Sequence, residues 1–218
     1  MSPTPSYTVN RAKEDFQLPG APGFWQDVPC LTIDHYLWLN NGYSPRVEVR
    51  LRFSDRFLYV FFKTFERRVC IRHTEFQSPV YKDSCVEFFV DPFPEKKIGY
   101  MNFETNAAGA LLLGFGPDRE NRRRLAEAEI AGFEIVPSIL APVIGFHGAD
   151  FWTLHYRIPM TLFERCYGEK VRSGARSKAN FYKCGDETEF EHYGAWSPVD
   201  LPAPDFHVPR FFGDIHFE

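Results

Sequence analysis

Between residues 46 and 53 polar and apolar side chains alternate without a break, and no other feature restricts the fold as strongly. Arg46, Glu48, Arg50 and Arg52 share one face, while Val47, Val49, Leu51 and Phe53 share the other. That is the period of a strand half-buried against a core. After the Ser54-Asp55-Arg56 turn, residues 57–65 are apolar on both faces, which predicts a central strand covered from two sides. Residues 83–91 form another strand segment, ended by Pro92 because proline cannot donate to a ladder. Residues 100–106 alternate again, and a turn at Gly109 leads back into 110–115. Further strands are expected at 134–138, 139–142, 151–158, 178–184 and 211–217. The charged stretch 117–132 suits a short helix or a surface excursion, and 159–164 a helix of one or two turns started by Pro159.

About ten short strands separated by turns, with no strand–helix alternation, give the fold class. It is all-β: a single-domain antiparallel β-sandwich, jelly-roll or immunoglobulin-like, with one or two short helices. Residues 1–218 form the domain, and 1–24 an extended, proline-rich arm. Val47, Val49, Leu51, Val86, Phe88, Val90, Met101, Phe103, Trp152 and Leu154 are expected in one core, since a one-residue register slip would expose them all.

Composition removes several function classes. With 44% hydrophobic and 25% charged residues the chain is neither disordered nor membrane-spanning, and no apolar run nears the roughly 20 residues of a bilayer span. A net charge of -4 and a pI near 6.0 argue against nucleic acid as partner. The N-terminal residues lack the pattern of a signal peptide, so a cytoplasmic location is expected. Five cysteines with no Cys-x-x-Cys pair read as reduced, mostly buried thiols. No His-x-x-x-His or His-Glu-x-x-His spacing joins the seven histidines, so no zinc site is expected.

The polar strand faces carry the functional signal. Glu87 lies on a face with Asp83 and Asp91. Tyr100, Asn102, Glu104 and Asn106 share another, Asn180 and Tyr182 a third, and Arg46, Arg50 and Arg52 a fourth. Such faces can be solvated sheet surface with cross-strand ion pairs. Asn, Glu, Arg and Tyr in place of the usual Thr, Ser and Lys instead suit a polyol, because amides and ionised groups supply the paired hydrogen bonds of vicinal hydroxyls. Aromatic rings suit the apolar face of a sugar.

The run Tyr81-Lys82-Asp83-Ser84-Cys85-Val86-Glu87-Phe88-Phe89-Val90-Asp91 resembles the Asp-Ser-Val-Glu-Phe-Phe-Val-Asp signature strand of family 9 carbohydrate-binding modules, with Cys85 as an extra residue. Residues 100–109 are similar to that family's second signature. Residues 180–186, 196–198, 204–209 and 212–213 resemble the closing strands of its stand-alone branch. The resemblance runs from about Trp25 to Phe217. It implies non-catalytic binding of a sugar or oligosaccharide, such as a glucan or xylan chain end, in carbohydrate catabolism beside a glycoside hydrolase. By motif position it places one gripping ring on Tyr81 and a second on Phe206 or Trp196. A sugar-hydroxyl acceptor falls on Glu87, with an amide-bearing position at or beside Asn180 and Tyr182. Asn102, Glu104 and Arg50 complete the candidate ligand-binding set. Better-studied modules carry tryptophan where this chain has Tyr81 and Phe206. The family's arginine near Glu104 is missing, with Arg46, Arg50 and Arg52 as candidate replacements.

Glu87 is therefore expected to be buried, ionised and paired with one of those arginines, or with Asn102 or Asn180. No cofactor is expected. The acidic loop 186–191 offers oxygen ligands for a structural calcium, although a solvated charge run is the plainer reading. Two alternatives stand beside sugar binding. A glycoside hydrolase would use Glu87 and Glu104 as its carboxylate pair. A haem-binding sandwich would use Met101 as axial ligand, although Met101 shares the parity of the core residue Phe103.

Overall fold

A computed structural model describes residues 4–20 and 23–218. In chain order its strands are β1 (Ser6–Arg11), β2 (Leu31–Ile33), β3 (His35–Tyr36), β4 (Val47–Phe53), β5 (Phe57–Thr64), β6 (Arg68–Cys70), β7 (Cys85–Asp91) and β8 (Tyr100–Asn106). They continue as β9 (Leu111–Gly116), β10 (Arg123–Arg124), β11 (Glu134–Pro137), β12 (Ile144–Phe146), β13 (Trp152–Pro159), β14 (Arg176–Cys184), β15 (Tyr193–Ala195) and β16 (Gly213–Phe217). Among the described residues one α-helix, α1 (Met160–Tyr167), is present, and it follows Pro159 as the sequence predicts. Among the described residues no helix is long and apolar enough to cross a membrane.

The fold is a β-sandwich. One layer runs β10-β9-β8-β7-β14-β16-β1, and the other runs β1-β4-β5-β13-β11. Strand β1 belongs to both. Its first residues pair with β16, and Asn10 and Arg11 pair with β4. A strand that switches sheets in this way turns the corner of the sandwich. Both β1 pairings are parallel, so the antiparallel expectation holds for the other ladders but not at this edge. The segment expected to be an arm thus contributes a strand to each layer. Strand β14 is likewise divided: its first half pairs with β16, and Tyr182–Cys184 pair with β15. Segment 139–142, expected as a strand, is irregular, and the strand lies later, at β12. The 117–132 stretch is a surface excursion carrying β10 and one short 3-10 turn.

All ten residues expected to share a core do so, in the cluster between the layers. Strand β5 lies between β4 and β13, and one of its two apolar faces, with Leu58, Val60 and Phe62, packs into the main core. Its outer face is covered from the N-terminal side, where Trp25 stacks on Phe61 at 5.4 Å and Phe16 lies 4.0 Å from Tyr59.

The outer face of the first layer differs from the sequence expectation of a polar wall. Cys85, Phe89, Tyr100, Leu112, Tyr182 and Cys184 form a second, smaller apolar cluster there. The C-terminal segment covers it through Val199, Phe206 and Phe212. The polar residues that share this face are consequently buried, and they sit at the edge of that cover.

Candidate functional site

A cavity of about 260 Å³ opens where the covering segment meets β7, β8 and β14. Glu87 on β7 and Glu104 on β8 are direct cross-strand partners and form its floor. The walls come from four separate segments. Tyr81 precedes β7, Arg119 and Arg122 lie on the excursion, Asp186 follows β14, and Asp205, Phe206 and His207 lie on the covering segment.

The two floor carboxyls have unequal neighbours. Glu104 accepts from Asn102 Nδ2 at 2.8 Å and faces Arg122 Nη1 at 3.4 Å. Glu87 receives the Cys184 thiol at 3.1 Å. Burial lifts Glu104 to about 7 against the pull of Arg122 and Asn102. Burial, and then the Glu104 charge, hold Glu87 well above the usual carboxylate range. Two buried carboxyls on directly paired strand positions each oppose the ionisation of the other. Below about pH 7 Glu104 also holds a proton; above it the charge settles on Glu104, beside Arg122, while Glu87 keeps its proton, and the floor then presents one donor beside one acceptor. The expectation that Glu87 is buried holds. The expectation that it is ionised does not, because its neighbours are a thiol and another acid, with no amide or arginine of 46–52 among them.

Arg122 fills the position that the sequence reading left vacant beside Glu104. Its Nη1 also donates to His207 Nε2 at 2.7 Å, and His207 Nδ1 lies 2.7 Å from the Tyr100 hydroxyl. A neutral ring with Nδ1 protonated satisfies all three groups. Burial, with Arg122 and Arg119 close by, holds this imidazole down at about 2. Arg119 pairs with Asp205 at 2.7 Å, and burial raises Asp186 to about 6. Arg122 can lie over β9 because that strand is bare there. A Cβ at Gly116 would come within 2.4 Å of Arg122 Cα, and one at Gly114 within 2.6 Å of Asn102 Oδ1.

The sequence-predicted residues divide in two. Tyr81, Glu87, Glu104 and Phe206 line the cavity, and Asn102 lies beneath it, holding Glu104. Tyr182 is one layer further in: Phe206 stacks flat on it at 4.0 Å, and its hydroxyl donates to the Phe206 carbonyl at 3.1 Å. Asn180 is buried away from the cavity and ties β14 to the covering segment, donating to Ser197 O and accepting from Ser197 N, each at 2.9 Å. Trp196 packs into the main core against Phe181 and over Gly213. Arg50 lies on the other layer, paired with Glu48 at 3.2 Å. Met101 is fully buried in the core. In the acidic loop, Glu187 meets Lys82 at 2.7 Å and Glu189 meets Arg68 at 2.6 Å. His207, beside Asp205 in a proline-constrained loop, can be read from the sequence as a hydrogen-bonding or loop-packing residue; Arg119, Arg122 and the paired glycines went unread. The one signal for them was the arginine-rich excursion beside an alternating Gly114-Phe115-Gly116 strand.

Comparison with known proteins bears on what such a cavity holds. A family model described as carbohydrate-binding family 9 matches residues 25–217. A Bacteroides uniformis protein for which carbohydrate binding has been inferred superposes with a TM-score of 0.88, at 31% identity over 99% of this chain and 100% of its own. A carbohydrate binding module of family 9 from Caldicellulosiruptor kristjanssonii, in complex with glucose, gives a TM-score of 0.65 at 14% identity over 98% of this chain and 96% of its own. Its complex with cellotriose gives the same score and identity, over 98% and 94%. At that identity the likeness is one of fold. No curated protein matches the chain.

Proposed function

The chain belongs to carbohydrate-binding family 9 and is a carbohydrate-binding domain, and from that premise we propose that it holds a neutral sugar, without turning it over, in the cavity above Glu87 and Glu104. The observation that carries the reading is the floor itself. Two buried carboxyls stand on paired positions there. Above about pH 7 a protonated Glu87 donates and an ionised Glu104 accepts, and Arg122 and Asp186 stand within the same enclosure. Vicinal hydroxyls, each both donor and acceptor, match that alternation. Tyr81 and Phe206 line the walls; Phe206 is stacked on Tyr182, and Tyr81 is the ring that offers apolar surface to a C–H face of a pyranose. Glucose and short β-linked glucans are the first ligands to test, since a module of the same fold is known with glucose and with cellotriose. A role beside a glycoside hydrolase in carbohydrate catabolism is part of the same proposal and rests on the family alone.

A calorimetric titration with glucose, xylose and their oligomers tests the reading. Saturable heat with at least one of them is expected, and the folded protein giving no heat with any would refute it. The competing hydrolase reading also uses Glu87 and Glu104. Turnover of aryl glycosides that Glu87→Gln abolishes would establish it and overturn the non-catalytic one.

A further inference from the structure

The extra residue in the signature strand, Cys85, lies directly across from Cys184 in the β7–β14 ladder. Glu87, two residues further along β7, projects from the same face. The Cys85 and Cys184 sulfurs and a Glu87 oxygen all lie within 4.8 Å of one another, and all three residues are buried. Two of the three, Cys184 and Glu87, also line the cavity. We propose that Cys85, Cys184 and Glu87 form a binding site for a thiophilic cation of the zinc and cadmium class, with its remaining coordination position open to the cavity.

The donor set argues for that class of ion. Two sulfurs and one carboxylate oxygen suit zinc, cadmium or copper(I), whereas calcium and magnesium require all-oxygen shells. Three protein ligands with a vacant fourth position form an incomplete tetrahedron, which water or a hydroxyl can close. The cavity supplies an entry path, which a buried cluster otherwise lacks. The partners also sit on rigid neighbours, two paired central strands, so little ordering is needed to bring them together. In the cation-free protein, burial keeps both thiols and Glu87 protonated. Binding therefore releases the protons of the ligands it takes up, and the three anionic donors exceed a divalent ion by one negative charge, with the cations Arg122 and Lys183 nearby. The Glu104 carboxylate beside Glu87 adds to the local negative charge.

Cadmium titration of the whole chain under a non-thiol reductant tests this without any sugar, so its outcome is separate from the carbohydrate reading. A single ion per chain is expected, with thiolate-to-cadmium charge-transfer absorption in the ultraviolet. Cys85→Ser and Cys184→Ser should each weaken binding by about tenfold or more, while Cys30→Ser, at an exposed cysteine, should not. Cadmium NMR of the wild type decides without variants, because the resonance position reports how many sulfurs hold the ion, and two are expected. Absence of the charge-transfer band, a resonance without sulfur ligation, or equal binding by folded Cys85→Ser and Cys184→Ser would each overturn the proposal.

Discussion

Tyr81 and Phe206 both line the cavity, yet replacing them with alanine should do different things. Phe206 is 8% exposed and lies flat on Tyr182 at 4.0 Å with an interplanar angle of 11°. Trp38 and Tyr193 close on it at 5.9 and 6.2 Å. Its ring is therefore chiefly a wedge that seals the covering segment onto the first layer. Removing a buried Phe side chain costs about 3–5 kcal/mol. For a chain of this length each kcal/mol moves Tm by about 2–4 °C, so Phe206→Ala should lower Tm by roughly 6–20 °C. Tyr81 is only half-buried and sits in the short 3-10 turn Val80–Lys82 at the cavity wall. Its truncation should cost about 1 kcal/mol in stability but about 1–3 kcal/mol in sugar affinity. The latter is roughly 5- to 150-fold in Kd. Thermal unfolding and calorimetric titration on the same two samples read both quantities. Should Tyr81→Ala lower Tm as far as Phe206→Ala while leaving Kd unchanged, or Phe206→Ala leave Tm within about 2 °C, the assignment of the rings is wrong.

Two further outcomes are expected. Burial raises Glu104 to about 7, so the native state holds a proton that the unfolded chain has released above its ordinary value near 4.5. That contribution makes stability fall as pH rises from about 4.5 to 7. Buried neutral His155, His192 and His207, held at about 4, 2 and 2, push the other way over the acid range. Glu87, Asp91 and Asp186 are raised by burial as well and keep contributing, so the readout is the difference between wild type and Glu104→Gln in urea midpoint against pH: the variant should show a shallower fall, and parallel curves would refute the assignment. Next along β14 from the cavity-lining Cys184, the fully buried Lys183 ammonium donates to Cys184 O at 3.0 Å and His192 Nε2 at 2.7 Å, and meets Glu66 at 3.3 Å. Lys183→Met strands the Glu66 charge in the core and should cost about 3–5 kcal/mol in urea unfolding; a loss under about 1 kcal/mol would contradict that.

The layers were legible because strand alternation is local, and each predicted core residue lies on the face its parity assigns. Alternation says which residues share a face but not which sheet the face belongs to. Arg50 and Glu104 both lie on polar faces, yet one is on β4 and the other on β8, in different layers. Parity also cannot tell an open face from a covered one. The Asn180–Tyr182–Cys184 face lies under a segment some twenty residues further along, so Asn180 serves as a tie to Ser197. Arg122 reaches Glu104 across the sheet from an irregular excursion, a contact that no periodicity encodes. The same limit applies to β1, whose two parallel pairings join chain segments far apart in sequence. The ionisation of Glu87 was misread because its partner was sought among arginines and amides, whereas its register partner is another acid.

The most direct test of the central claim is a crystal structure of the chain grown with cellotriose. A sugar ring should stand over the Glu87–Glu104 floor, with hydroxyls within hydrogen-bonding distance of both carboxyls and of Arg122, and with Tyr81 against one of its faces. A cellotriose bound instead on the outer face of the second layer, beside Trp25 and Arg50, with the cavity empty, would contradict it.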